Sequence, residues 1–203
     1  KFYSAGNSSL TSVTAAGHDG DANKVAYYSP DFGGFGLSAS LSPNTGGRAS
    51  TGQPADGTFQ NTAEFLATYG GTFGGVDLGL GAAYVMADAT NGNATEDARS
   101  YHLGGTVGIA GFTVGAGYVD NGDSGMAVAT NADAGYRWNL GVGYSGIENV
   151  YLSAVYTAGE ADTNGDNLDE TGEGWSASAD YTVAEGLTTF VEYIHQEYDT
   201  GAA

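Results

Sequence analysis

The densest set of side chains that could bind a ligand is an acidic segment at residues 162–170, with the sequence DTNGDNLDE. Carboxylate and amide oxygens are the ligands that Ca²⁺ and Mg²⁺ prefer, and the candidates here are Asp162, Asn164, Asp166 and Glu170. The glycine is the fourth residue of the segment, whereas calcium loops held between two helices carry it at the sixth. We therefore expect a solvated surface loop, with weak binding of Ca²⁺ or Mg²⁺ by these four residues as the alternative.

Two further patterns could carry chemistry. Residues 141–146, GVGYSG, match the G-x-G-x-x-G pattern of dinucleotide-binding proteins, which needs a strand before it and a helix after it. Here the pattern lies in an alternating stretch that leads into a turn, so we interpret its glycines as small wall residues. The histidines His18, His102 and His195 lie on separate segments, with no partner at a spacing typical of catalysis or zinc binding. We expect them to be ordinary loop and strand residues.

Charged side chains also recur on one side of the predicted strands. They are Lys24, Glu64, Asp77, Arg137, Asp180 and Glu192. If the strands enclose water, these six side chains line a pore and set its electric field, as rings of charge do in channels. The alternative is that they form internal ion pairs, or are solvated without any influence on passage.

The strands that position these residues are predicted from alternation with a period of two. In residues 132–144, the apolar face carries Trp138, Leu140 and Val142. The opposite face carries Arg137, Asn139 and Gly141. A soluble β-sandwich fills its core with large apolar side chains, but this opposite face is too small and polar to form a second core. A barrel with lipid outside and water inside would explain both the apolar face and the small, polar face.

Turn signals recur at regular distances along the chain. The markers Gly34, Gly74, Gly111, Glu148 and Gly186 are separated by 40, 37, 37 and 38 residues. Longer polar stretches lie between these turns, at 42–60, 87–98, 121–131 and 158–172. Short turns that alternate with long loops are typical of outer-membrane barrels. We predict ten strands, at 23–29, 35–41, 61–70, 75–86, 99–109, 112–120, 132–145, 150–157, 173–183 and 187–199.

Composition excludes several classes of protein. No run of 18 apolar residues exists in the 203, so a transmembrane helix is excluded, whereas a β-barrel can span a bilayer with an average composition. The net charge of −19 is unsuited to nucleic acid, which binds basic patches. The absence of cysteine removes disulfides, thiolate catalysis and cysteine-based zinc sites. The fold class that remains is all-β: a transmembrane, antiparallel, up-and-down β-barrel.

Residues 23–41, NKVAYYSPDFGGFGLSASL, closely resemble a hairpin of proteobacterial general porins. The shared pattern is a basic residue, a tyrosine, Ser-Pro-x-Phe-x-Gly-Phe, and then alternating small residues. Residues 181–188, YTVAEGLT, resemble the penultimate hairpin of the same family, together with Glu192-Tyr193 and Tyr198-Asp199. The resemblance covers residues 20–200, and it is mostly one of pattern between these two ends.

The resemblance implies a single porin domain over residues 1–203. Family members are typically sixteen-stranded trimers whose third loop folds into the lumen. By this comparison, residues 1–22 would be the tail of a constriction loop, and the hairpins of residues 23–199 would be the sixth to fifteenth strands. The early strands and a final strand that ends in an aromatic residue are missing from the sequence. We therefore expect this chain to be part of a longer porin.

The function implied is passive diffusion of small hydrophilic solutes and ions across the bacterial outer membrane, with no enzymatic activity and no firmly bound cofactor. The expected partners are membrane lipid and lipopolysaccharide, the diffusing solutes, and two further copies in a homotrimer. The acidic composition predicts a mild preference for cations. The alternative is a structural or adhesive surface β-protein without transport activity.

Overall fold

The computed structural model describes residues 23–44, 59–90, 94–166 and 168–200, and these residues form one antiparallel sheet of ten strands. The strands are β1 Val25–Tyr28, β2 Phe35–Asn44, β3 Phe59–Phe73, β4 Val76–Ala89, β5 Ala98–Ile109, β6 Phe112–Asp120, β7 Asp133–Ile147, β8 Val150–Asp162, β9 Glu170–Ala184 and β10 Leu187–Asp199. No helix among these residues is long and apolar enough to cross a bilayer.

Each strand pairs with the next in chain order, so the sheet has the predicted up-and-down topology. The five connections that contain the predicted turns therefore lie at one end of the sheet, called here the turn end. The Gly70 amide of β3 donates a backbone hydrogen bond of 2.9 Å to the Gly34 carbonyl and so ties the first of these turns to the neighbouring strand. The strand ends that lead into the other connections lie at the opposite, loop end. The predicted alternation of short turns with longer connections is confirmed.

Two of the turns show why the chain reverses where it does. Gly74 and Gly75 join β3 to β4 with φ of 58° and 84°, and Ala110 and Gly111 join β5 to β6 with φ of 51° and 83°. Positive φ at both central residues is the signature of a type I′ turn, whose twist matches that of the flanking strands. Glycine adopts this conformation without strain, whereas Ala110 does not.

The two faces of the sheet differ as the alternation predicts. On the apolar face, Leu140 is 50% exposed and Val142 is 41% exposed, whereas Gly141 between them is buried. Buried apolar residues are few, and a small cluster of Phe59, Ala87 and Ala98 lies at the loop end. A soluble sheet buries its apolar face. In the described part of the chain that face is exposed, as in a membrane barrel.

The strands extend further at the loop end than predicted. β8 continues to Asp162 and β9 begins at Glu170, so much of the predicted loop at residues 158–172 is paired strand. These strands have 13 and 15 residues, more than the roughly 9–11 that a tilted strand needs to cross a bilayer. Pairing continues because polar side chains on both faces do not interrupt a backbone ladder.

Candidate functional site

Five of the six predicted pore-lining residues lie on one face of the sheet, called here the polar face. Cross-strand pairs define it: Glu64 lies opposite Ser40 and Val85, Asp77 opposite Thr72 and Gly108, Arg137 opposite Val119 and Gly159, Asp180 opposite Tyr151 and Phe190, and Glu192 opposite Ser178. The sixth, Lys24, lies immediately before β1 and outside the strand. The structure therefore groups the strand residues as the alternation requires.

Hydrogen bonds hold two of these carboxylates against the wall. Ser40 donates its hydroxyl proton to Glu64 over 2.8 Å, and Thr72 donates to Asp77 over 2.6 Å. Both donors are cross-strand neighbours of their acceptors. A carboxylate that is bonded in this way keeps its charge at a defined position, so it can contribute steadily to the field above the polar face.

The middle of the polar face carries no charge. A row of residues that lie opposite one another on neighbouring strands crosses nine strands, from β2 to β10, and is called here the uncharged row. Its members are Gly36, Thr68, Gly81, Gly104, Gly117, Asn139, Thr157, Gly174 and Gln196. A concavity of about 500 Å³ is lined in part by Gly81, Gly104, Gly117 and Asn139. Small side chains thus leave open volume beside this wall.

The charges lie towards the two ends of the strands. Asp77 is the second residue of β4 after its turn, and Asp180 and Glu192 lie in the turn-end halves of β9 and β10. Arg137 is the fifth residue of β7 and lies towards the loop end. Glu64 also lies on the loop-end side of the uncharged row, four residues before Thr68 in β3. A solute that moves along the polar face would therefore pass acidic groups near the turn end, a neutral stretch, and then Arg137 and Glu64 towards the loop end.

Aromatic rings on the apolar face form two bands. Towards the loop end, Trp138 packs on Tyr156 with ring centroids 5.4 Å apart, and similar pairs join Tyr84 to Tyr101 and Tyr118 to Tyr136. Near the turn end, the pairs are Phe35 with Tyr69 at 4.4 Å and Phe112 with Tyr144 at 4.3 Å. Bands of this kind lie at the two interfaces of a bilayer.

The other predicted chemistry is dispersed. The glycines of residues 141–146 lie within β7, which ends in a turn to β8 rather than in a helix. His102 contacts Ser100 at 3.3 Å on the polar face, and His195 contacts Glu197 at 2.9 Å on the apolar face. His18 lies outside the described residues. The two described histidines are five strands apart and share no site.

The acidic segment is divided between two strands and their loop. Asp162 ends β8 and accepts a 2.8 Å hydrogen bond from the Gly165 amide, while Glu170 begins β9 and accepts one of 2.6 Å from Thr163. Asn164 and Asp166 cap backbone amides within the loop. Across the described ranges, no three His, Cys, Asp or Glu side chains are arranged to hold a metal ion. The Ca²⁺ site stays a prediction.

Two features of the sheet are not predicted by the sequence pattern. On the polar face, Val85, Ser100, His102 and Val119 are each less than 10% exposed. On the apolar face, acidic residues replace apolar ones at the loop end of β8 to β10 (Glu160, Glu173, Glu197 and Asp199). The alternation that continues through residues 158–162 is the sequence signal for the second feature.

Solved structures show the same fold. An anion-selective porin from Comamonas acidovorans matches with a TM-score of 0.66 and 15% identity, over 87% of this chain and 49% of that one. OccAB4 of Acinetobacter baumannii matches with a TM-score of 0.63 and 13% identity, over 87% and 48%. A loop-deletion mutant of OmpT, an outer membrane protein of Vibrio cholerae, matches with a TM-score of 0.57 and 19% identity, over 87% and 58%.

The chain thus spans about half the length of these solved barrels. No curated protein sequence matches it. The family model for Gram-negative porins matches residues 1–201. Together with an apolar, aromatic-banded outer face and a small, polar inner face, this match shows that the chain belongs to the Gram-negative porin family and is a β-barrel protein of the bacterial outer membrane.

Proposed function

We propose that this chain forms part of the wall of a water-filled channel through which small hydrophilic solutes and ions diffuse passively. The observation that carries the proposal is the uncharged row, which crosses nine strands with no side chain larger than glutamine. A barrel filled as an anchor would need bulky or ion-paired inner side chains throughout, whereas the uncharged row leaves open volume. No observation favours an adhesive role.

The intact channel would need more strands than the ten described here, because the chain spans about half of the solved porins it resembles. The resemblance to general porins implies a barrel of sixteen strands that assembles as a homotrimer in lipopolysaccharide and lipid, and this is part of the proposal. Residues 1–22, proposed as the tail of a constriction loop, lie outside the described residues.

We further propose a mild preference for cations. The inward charges are Glu64, Asp77, Asp180 and Glu192 against Arg137, with Lys24 beside β1. The Comamonas porin with the same fold is anion-selective. A shared fold does not transfer selectivity, because the sign of the wall charge determines which ion is concentrated in the lumen.

Single-channel recording in planar bilayers tests the proposal. The intact protein should give stepwise, ohmic conductance that rises in proportion to bulk salt, as diffusion through a water-filled pore requires. The same preparation after thermal unfolding serves as the control for detergent artefacts. Folded, inserted protein that gives no conductance steps would overturn the proposal.

A further inference from the structure

The connection between β6 and β7, residues 121–132, is held against the loop end of the sheet and is called here the mouth loop. The Ser124 hydroxyl donates a hydrogen bond of 2.8 Å to the Arg99 carbonyl oxygen and accepts one of 2.7 Å from the Arg99 amide. A single side chain thus occupies both backbone groups of a β5 residue, so the beginning of the loop is fixed to that strand.

The middle of the mouth loop pairs with the β4–β5 connection. Thr95 and Ala127 form an isolated antiparallel bridge, and backbone hydrogen bonds of 2.8 and 3.1 Å join the residues on either side of it. This arrangement makes Thr95 and Ala127 a non-hydrogen-bonded pair, in which the two Cα atoms approach closely. The loop is therefore attached through its backbone as well as through Ser124.

Gly125 shows which face of the sheet the mouth loop covers. A Cβ atom placed on Gly125 would lie 3.2 Å from Cζ of Phe59. Phe59 belongs to β3 and packs with Ala87 and Ala98. Ala87 is two residues beyond Val85 in β4, so this cluster lies on the polar face. A loop that leaves β6 and reaches a polar-face ring of β3 passes inside the rim of β4 and β5.

The far end of the mouth loop is supported by the β8–β9 connection. A Cβ atom placed on Gly165 would lie 2.9 Å from Cβ of Thr130 and 3.1 Å from the amide nitrogen of Ala132. Ala132, where the loop joins β7, is buried. The mouth loop is thus held at its beginning, in its middle and at its end.

The mouth loop presents a neutral surface. Residues 124–132 have the sequence SGMAVATNA, which contains no charged side chain, and Val128 is 45% exposed. A neutral segment of this kind can obstruct a pore by its volume, whereas selection by charge needs charged groups on the wall. Its effect on a passing solute should therefore depend on size.

We propose that the mouth loop narrows the loop-end entrance of the channel and excludes bulky hydrophilic solutes by size. Because the loop covers the polar face at the rim of β3 to β5, it reduces the cross-section before a solute reaches the uncharged row. The inference rests on the proposed function, since only a conducting barrel has an entrance to narrow.

The entry of polyethylene glycol into single channels measures this size limit, because a polymer that enters the lumen lowers the conductance. Polymers of graded mass are added to one side of the bilayer at a time. The double variant Phe59→Ala with Ser124→Ala removes the ring beneath Gly125 and both hydrogen bonds to Arg99. We expect it to admit larger polymers than the unmodified protein from the loop-end side, with the same limit from the turn-end side.

A matched control removes a serine and a phenylalanine at the turn end. Ser145 donates to the Gly111 carbonyl over 3.3 Å, and Phe73 is the last residue of β3. Ser145→Ala with Phe73→Ala should leave the limit at the loop-end side unchanged.

A reversible cross-link should restore the position of the loop in the double variant. The chain has no cysteine, and a non-hydrogen-bonded pair has its Cα atoms about 4.5 Å apart, within the range of a disulfide. With Thr95→Cys and Ala127→Cys added, oxidation should return the loop-end limit to that of the unmodified protein. Dithiothreitol should release it again.

Equal loop-end limits in the double variant and the unmodified protein would overturn the proposal, as would a disulfide that forms without lowering the limit. Conductance steps in the unmodified protein keep both results separate from a failure of the proposed function. Should the double variant fail to fold, Val128→Cys in the otherwise unmodified protein decides the question. A thiol-reactive polyethylene glycol attached there should lower the conductance, and an unchanged conductance would contradict a loop that lies over the entrance.

Discussion

Among single residues, Ala110 carries a backbone conformation that its side chain disfavours. Its φ of 51° lies in the left-handed region, where a Cβ costs about 1–2 kcal/mol. Replacing Ala110 by glycine removes the strain and adds some unfolded-chain entropy. We expect the free energy of unfolding to rise by about 1 kcal/mol, as measured by urea denaturation of the protein in lipid vesicles.

A matched control for this change is Ala184→Gly at the end of β9, because Ala184 is not among the residues with positive φ. Glycine there should lower the free energy of unfolding by about 0.5–1 kcal/mol. A loss of stability in both variants would contradict the strain argument for Ala110.

Replacing Arg137 by a neutral side chain should have the simplest effect on ion selectivity. Its guanidinium is exposed on the polar face, between Val119 and Gly159 on the neighbouring strands. Arg137→Gln removes one positive charge from the lumen, so the reversal potential in a KCl gradient should move towards the potassium value. The control is Arg99→Gln, since Arg99 lies beside Asp97, 3.7 Å away, on the apolar face. Equal shifts in the two variants would refute a lumen position for Arg137.

Among the strands, β7 tests which face meets lipid. Leu140 is the middle residue of β7 on the apolar face, and Asn139 beside it lies in the uncharged row. Leu140→Arg should cost about 2–4 kcal/mol of folding free energy in a bilayer, because an arginine at mid-membrane is exposed to hydrocarbon. Asn139→Arg should cost little and should lower conductance. The reverse order of urea midpoints would mean that the faces are exchanged.

The β8–β9 connection tests the predicted Ca²⁺ site. Asp162 holds the Gly165 amide, so changing it would disturb the turn itself. Asp166→Asn with Glu170→Gln removes two candidate ligands and spares that turn bond. Calorimetry should show Ca²⁺ binding with a Kd of about 0.1–1 mM in the unmodified protein and much weaker binding in the double variant. Heats that are identical in the two proteins would assign the binding elsewhere.

In the whole molecule, net charge and screening determine how strong the cation preference can be. The chain carries −19, but the described part of the polar face holds only a few charges, and these lie on either side of the uncharged row. The screening length falls from about 10 Å at 0.1 M salt to about 3 Å at 1 M. The permeability ratio of K⁺ to Cl⁻ should therefore approach that of free solution as salt rises. A ratio independent of salt would indicate a narrow charged constriction instead.

Local sequence patterns are enough to predict the ten strands, the positions of their turns, and which side chains share a face. Alternation with a period of two separates Trp138 from Arg137 whatever the neighbouring strand is. Glycine pairs such as Gly74-Gly75 position a turn through the local backbone alone. These features were predictable because each depends on a few consecutive residues.

Features that depend on the register between neighbouring strands become visible only in the folded sheet. The uncharged row and the charges on either side of it arise from which residues lie opposite one another. The extension of β8 to Asp162 and the burial of His102 depend in the same way on neighbouring strands. Local patterns do not contain this information, because a backbone ladder pairs residues regardless of their side chains.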